Sequence, residues 1–130
     1  MITGIAHVCY HSTDLQRTAD FYAKLGLPIA FEFKDEKGTR TGIYVRTGNR
    51  AFLEFFIGDA KPADGGTYRH ISLECDDINK TVADLRANGL KVSDPQLGLD
   101  QTWQAWLGDP DGNAIELHCY TPASWQAPHL

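Results

Sequence analysis

Several features that would assign this 130-residue sequence to a membrane or nucleic-acid-binding class are missing. No apolar run approaches the roughly 20 residues that a membrane-spanning helix needs, so no transmembrane span is expected. The first residues do not place a basic segment before an apolar one, and we expect no signal peptide either. Lys and Arg total 12 against 17 Asp and Glu, which gives a formal charge of −5 and leaves no basic stripe for a nucleic acid.

Cysteine is scarce as well. The three cysteines, Cys9, Cys75 and Cys119, are odd in number, and no two of them have the CxxC spacing of a redox or zinc motif. Each lies in an apolar or strand-like run, which favours reduced, buried thiols in a cytoplasmic protein over a redox or nucleophilic role. Hydrophobic residues make up 42% and charged residues 22%, as in globular proteins, so we expect one folded domain rather than a disordered chain.

The residues that are present predict two similar βαβββ modules, at 1–58 and 67–120, separated by a segment rich in Pro and Gly. In the first module we expect one helix at 15–25 and strands at 2–10, 28–34, 41–47 and 51–57. In the second module we expect one helix at 78–88, strands at 68–75, 90–93, 102–107 and 113–119, and a loop at 94–100.

Matching offsets between the modules indicate an internal duplication. Glu54 lies 47 residues after His7, and Glu116 lies 46 residues after His70. In both modules an aspartate suited to cap the helix follows the histidine by seven residues. Self-similarity at a fixed period is typical of repeated structural units, so we interpret the chain as a single domain built from two repeats.

A histidine on the first strand and a glutamate on the last strand of each module are the candidate metal ligands. Glu54 and Glu116 lie between apolar neighbours, where an unpartnered carboxylate would be costly to bury. Two imidazoles, from His7 and His70, and two carboxylates suit a divalent ion such as Zn, Ni, Co, Mn or Fe. Taken singly, each of the four residues could equally be an ordinary core or surface residue. Their repetition at equivalent positions favours a metal site.

Three further residues are candidates for a substrate pocket. His11 and His118 are predicted on the same strand faces as His7 and Glu116. Trp103 and Trp106 lie on opposite faces of one strand, so at most one of them points into a cavity, and we assign Trp103 to the pocket. Packing in the core or at an interface is the alternative for both tryptophans.

Four segments resemble the vicinal oxygen chelate superfamily, which includes glyoxalase I, bleomycin-resistance proteins and extradiol dioxygenases. The segments are AHVCYHSTDLQRTADFYAKLGL, FLEFF, RHISLECDDI and DPDGNAIEL. The resemblance implies an α+β fold in which two tandem βαβββ modules form an open eight-stranded cup around a metal ion. It also implies a homodimer, since such a sheet leaves edges to cover. The glyoxalase I pattern places metal ligands at His7, Glu54, His70 and Glu116, and all four match in type.

The function implied by this ligand set is that of a metal-dependent lyase or isomerase acting on a small 2-oxo compound or its thiol adduct. Glu116, or Glu54, would lift a proton next to the carbonyl and return it to the neighbouring carbon. Two alternatives stay open. One is an Fe(II) ring-cleaving dioxygenase, which resembles the subset His7, His70 and Glu116. The other is a dimeric drug- or metabolite-binding protein without catalysis.

Two positions depart from the glyoxalase I proteins that use glutathione. His11 stands where those proteins resemble one another in an arginine, and Gly58 stands where they show an asparagine. Both of those groups help to hold glutathione. The substrate, the native metal and the use of glutathione or another thiol are therefore left open by the sequence.

Overall fold

The computed structural model describes residues 5–59 and 70–130, and the chain divides into two compact units, Met1–Gly66 and Thr67–Leu130. Each unit contains one four-stranded sheet and one α-helix among its described residues. In the described part of the chain, neither helix has the length and apolar character to cross a membrane.

The first unit follows the predicted order of elements. Its elements are β1 His7–Ser12, α1 Leu15–Lys24, β2 Ile29–Lys34, β3 Arg40–Gly48 and β4 Ala51–Ile57. The sheet order is β1-β4-β3-β2, with β1 parallel to β4 and the other two pairs antiparallel. Because β1 and β4 are parallel neighbours, the first and last strands of the unit lie side by side and bring their side chains together.

Helix α1 packs against one side of this sheet, which we call the helix face. The helix begins after Asp14, whose carboxylate accepts hydrogen bonds from the backbone N–H groups of Gln16 and Arg17, each at 3.0 Å. It ends at Lys24, and Gly26 follows two residues later with a φ of +77°, which favours glycine. The buried side chains between helix and sheet are Leu15, Thr18, Ala19, Phe21, Tyr22, Ile43, Val45, Leu53 and Phe55.

The Asp14 cap predicts a specific pH dependence of stability. Hydrogen bonds from the backbone N–H groups of Arg17 and Gln16 hold the pKa of the Asp14 carboxyl below its ordinary value. A lowered pKa in the folded state stabilises the protein above the unfolded-state pKa, and this contribution disappears as the pH falls through the folded-state pKa. Asp14→Asn keeps the capping oxygen but removes the charge. We expect urea unfolding to show the parent as the more stable protein at pH 6, and the difference to shrink as the pH falls below the ordinary pKa of an aspartate, about 4. A stability difference that persisted at low pH would contradict this role.

The second unit repeats the arrangement of the first. Its elements are β5 Ile71–Glu74, α2 Ile78–Ala87, β6 Gln96–Leu97, β7 Trp103–Gly108 and β8 Ala114–Cys119, followed by a short 3-10 helix, Ala127–His129. The sheet order β5-β8-β7-β6 matches that of the first unit, and the first and last strands of the unit, β5 and β8, are again parallel neighbours. Helix α2 buries Ile78, Val82 and Leu85 against its sheet. The predicted fold of two βαβββ modules is thus confirmed.

One predicted element is wrong, and several strand ends differ from the prediction. The expected strand at 90–93 is absent. The strand that takes its place at the edge of the sheet, β6, lies at Gln96–Leu97, inside the expected loop 94–100. Ser93 does contact β7, because its N–H donates to the Trp106 carbonyl and its hydroxyl accepts from the Trp106 N–H, both at 2.9 Å. The regular pairing with β7 begins three residues later, where Gln96 pairs with Gln104. Residues 2–4 of the expected first strand and 68–69 of the expected fifth strand lie outside the described residues.

Candidate functional site: two histidine–glutamate pairs

The first pair forms on the side of the first sheet opposite α1. His7 on β1 and Glu54 on β4 both lie on this side, which we call the site face. His7 Nε2 lies 3.6 Å from Glu54 Oε2. The other ring nitrogen of His7, Nδ1, lies 2.7 Å from the hydroxyl of Tyr44 on β3. Burial and the nearby Glu54 carboxylate raise the pKa of Tyr44, so its hydroxyl keeps its proton at neutral pH.

The second pair occupies the equivalent place in the second unit. His70 directly precedes β5, and its Nε2 lies 3.6 Å from Oε2 of Glu116 on the adjacent strand β8. His118, two residues further along β8, places Nδ1 at 3.5 Å from the same oxygen. Glu116 is only 6% exposed, and its ion-pair partners among the described residues are these two imidazoles.

The donor set of both pairs fits a divalent metal ion. A distance of 3.6 Å is longer than a hydrogen bond, so neither carboxylate is satisfied by its histidine. In the second unit, the buried Nδ1 of His118 also has no hydrogen-bond partner. A buried carboxylate facing imidazoles lacks a permanent positive charge, which a divalent cation would supply. Imidazole with carboxylate is a donor combination that transition metals accept.

The structure brings the four predicted ligands together as pairs, one in each unit. In residues 5–59 and 70–130, no group of three His, Cys, Asp or Glu side chains is arranged to hold a metal ion by itself. His7 with Glu54, and His70 with Glu116, therefore each offer two donors.

The two predicted pocket histidines lie in different surroundings. His118 contacts Glu116 and packs edge-to-face on Tyr120, with ring centroids 4.8 Å apart. His11 lies on the site face of the first sheet, opposite Phe56. A Cβ atom on Gly58 would come within 2.6 Å of His11 Cγ, so the imidazole occupies space that only glycine leaves free. The two departures from the glutathione-using proteins are thus in direct contact.

The structure places the two tryptophans on opposite faces of the second sheet. Trp103 pairs with Cys119 and lies on the side of the second sheet opposite to that of Glu116. Trp106 pairs with Glu116 and packs edge-to-face on His70, with ring centroids 4.9 Å apart. Trp106, not Trp103, is therefore the tryptophan of the site face. The pairing of β7 with β8 places Trp106 directly opposite Glu116, and paired residues on neighbouring strands point to the same face of the sheet.

Sequence reasoning also missed an aromatic cluster on the site face of the first sheet. Ring centroids lie 4.7 Å apart for Phe31 and Tyr44, 4.9 Å for Tyr44 and Phe52, and 4.9 Å for Phe33 and Phe56. The alternation of phenylalanine in β2 and β4 was the available signal. Tyr44 connects this cluster to the His7–Glu54 pair, because its ring packs edge-to-face on His7.

The cysteines are unpaired thiols, as expected, but they are not all buried. Cys9 is exposed on β1, Cys75 is partly buried and Cys119 is buried. Partial shielding of the Cys9 sulfur from water, together with the nearby Glu54 carboxylate, raises the pKa of the Cys9 thiol to about 11. Burial likewise raises the pKa of Cys75 to about 11. Both thiols stay protonated at neutral pH, which makes them weak nucleophiles.

Comparison with known proteins agrees with this architecture. A family model described as Glyoxalase/Bleomycin resistance protein/Dioxygenase superfamily matches residues 4–117. A probable lactoylglutathione lyase, chloroplastic, from Arabidopsis thaliana is 32% identical in an alignment that covers 85% of this chain and 34% of that protein. The chain thus spans about a third of the length of this curated relative.

Two solved structures of the same kind superpose well on the chain. The glyoxalase family protein from Enterococcus faecalis is 27% identical with a TM-score of 0.74, covering 88% of this chain and 96% of that one. The bleomycin resistance determinant encoded on the transposon TN5 is 25% identical with a TM-score of 0.70, covering 90% and 98%. With its two βαβββ units, this chain belongs to the glyoxalase/bleomycin resistance protein/dioxygenase superfamily and has the fold of that superfamily.

Proposed function

We propose that this protein is a divalent-metal-dependent lyase or isomerase of the glyoxalase type. Its reaction would move a proton next to the carbonyl of a small 2-oxo compound or of its thiol adduct. The observation that carries the proposal is the repetition of one His–Glu pair, with the same 3.6 Å separation, on equivalent strands of both units. The relative from Arabidopsis thaliana, named a probable lactoylglutathione lyase, supports the same reaction class.

In this proposal the residues of both pairs act as metal ligands, in a homodimeric protein. Zn, Ni, Co, Mn and Fe all suit two imidazoles and two carboxylates. When bound, such an ion polarises a carbonyl and stabilises negative charge that develops on its oxygen. The residues that would bind it are His7, Glu54, His70 and Glu116.

Glu116 is the first candidate for the general base. Its side chain is 8% exposed, against 15% for Glu54, so its carboxylate is the better shielded from water. Glu116 would take the proton from the C–H next to the carbonyl and return it to the neighbouring carbon. Glu54 is the alternative base, because the pairs are equivalent by position.

The experiment that tests the proposal is metal analysis of the purified protein. We expect close to one metal ion per chain in the parent and a loss of most of it in His70→Ala, because one of four donors is removed. His129→Ala, which changes a histidine in the C-terminal 3-10 helix, is the matched control and should keep the metal. A parent protein without metal, and unable to take up Zn²⁺, Ni²⁺ or Co²⁺ on reconstitution, would overturn the proposal.

A second candidate function is the binding of a small molecule without catalysis. It is favoured by the 25% identity to the bleomycin resistance determinant. It is also favoured by His11 and Gly58, which are in contact and replace the arginine and asparagine that help to hold glutathione in glyoxalase I proteins. The aromatic cluster on the first sheet offers stacking surface for such a ligand. This function predicts ligand binding that removal of metal with a chelator leaves unchanged.

A further inference from the structure

A single hydrogen bond distinguishes the first His–Glu pair from the second. The Tyr44 hydroxyl lies 2.7 Å from His7 Nδ1, while His7 Nε2 faces Glu54 at 3.6 Å. We propose that Tyr44 is a positioning residue, which holds the His7 imidazole with Nε2 directed toward the metal-binding side. The inference rests on the proposed function for its consequence in metal affinity, but the contact itself exists without metal.

The Tyr44 ring is well suited to this role because it is itself held in place. It stacks on Phe31 of β2, with centroids 4.7 Å apart and planes 25° apart. On its other side it packs against Phe52 of β4, with centroids 4.9 Å apart. Rings on both neighbouring strands restrict the rotation of the tyrosine side chain, so its hydroxyl is presented at one place.

The hydroxyl also has the right chemistry for the partner of a ligating histidine. An imidazole that binds metal through Nε2 carries its proton on Nδ1 and needs an acceptor there. A phenol oxygen can accept that hydrogen bond, and it can donate one to Nδ1 when Nε2 carries the proton. Tyr44 can therefore remain bonded to His7 in both tautomers, whereas Phe could pair with neither.

The second unit provides an internal comparison. Trp106 lies opposite Glu116 in the register, as Tyr44 lies opposite Glu54. Both aromatic rings pack edge-to-face on the histidine of their unit. The contact of Trp106 with His70 is made through the ring, so a phenylalanine at position 106 retains an aromatic contact. Trp106→Phe is therefore a matched control for Tyr44→Phe.

The test measures the dissociation constant of Zn²⁺ by competition with a chromogenic chelator. For Tyr44→Phe we expect a rise of roughly 10- to 100-fold, the size found when the hydrogen-bond partner of a ligating histidine is removed. For Trp106→Phe we expect a change of less than about threefold, because no hydrogen bond to His70 is lost. A Tyr44→Phe protein that binds Zn²⁺ as tightly as the parent, or a control that loses as much, would overturn the inference.

A second measurement needs no metal and separates this inference from the proposed function. ¹⁵N NMR of the metal-free protein, with His7 assigned through His7→Ala, reports which ring nitrogen carries the proton. We expect the Nδ1 signal of His7 to shift in Tyr44→Phe, because this nitrogen loses its hydrogen-bond partner, with unchanged spectra elsewhere. If the parent binds no Zn²⁺ but the His7 Nδ1 signal still shifts, the proposed function fails and the positioning role stands. Identical His7 signals in the two proteins would refute the positioning role.

Discussion

Replacing Glu116 by Gln is expected to lower kcat/KM by roughly 10²- to 10⁴-fold, the usual contribution of a general base. The substrate of the assay is the adduct of methylglyoxal with a thiol, with glutathione and 2-mercaptoethanol tested in parallel. Gln has nearly the shape of Glu and keeps an oxygen that can bind metal, but its amide cannot take up the proton. Since the Glu116 side chain is only 8% exposed, solvent is poorly placed to replace its carboxylate as the base.

Two controls separate loss of the base from loss of the site. Metal content should stay near that of the parent, and circular dichroism and the unfolding midpoint should show an intact fold. Glu54→Gln removes the equivalent carboxylate from the first unit and should cost much less activity if Glu116 is the base. The reverse order of the two variants would assign the base to Glu54. A Glu116→Gln enzyme with parental kcat/KM, while Glu54→Gln is also active, would exclude carboxylate base catalysis.

Local patterns carried most of the information about the fold. The aspartates before both helices, the glycines after them and the alternation along β4 predict the elements because each depends on residues close in sequence. The strand at Gln96–Leu97 was not predictable in this way. Its two residues pair with Gln104 and Trp103, and that pairing is decided by where the β7 edge is free, which is a tertiary property.

Only part of the candidate site could be predicted from the sequence, because the rest depends on how the strands pair. His7 and Glu54 can be placed on one face by counting along their own strands, and the structure places them 3.6 Å apart. Tyr44 enters the site because β3 pairs with β4 in a register that puts it opposite Glu54, which no local pattern reveals. The choice between Trp103 and Trp106 depends on the same pairing, since a shift of one residue moves a side chain to the other face.

Replacing Phe55 by Ala is expected to destabilise the protein by about 3–5 kcal/mol, the usual cost of removing a buried phenylalanine ring. Phe55 is 1% exposed and lies on the helix face of the first sheet. Its ring packs against Tyr22 of α1 at 5.0 Å and stacks on Tyr10 of β1 at 5.4 Å. The cavity left by alanine would lie between these rings, where the surrounding backbone of strand and helix cannot easily close it.

The neighbouring residue gives the matched control. Phe56 lies on the site face, is only partly buried and contacts Phe33 at 4.9 Å, so Phe56→Ala should cost about 1 kcal/mol. Urea unfolding followed by circular dichroism measures both losses on one scale. Glu54 shares its face with Phe56, because side chains two residues apart on a strand point the same way. A larger loss for Phe56→Ala than for Phe55→Ala would mean that β4 is turned over, and Glu54 would then point toward helix α1 and away from His7. The stability of two phenylalanine variants therefore tests the placement of the candidate metal ligand without any metal or substrate.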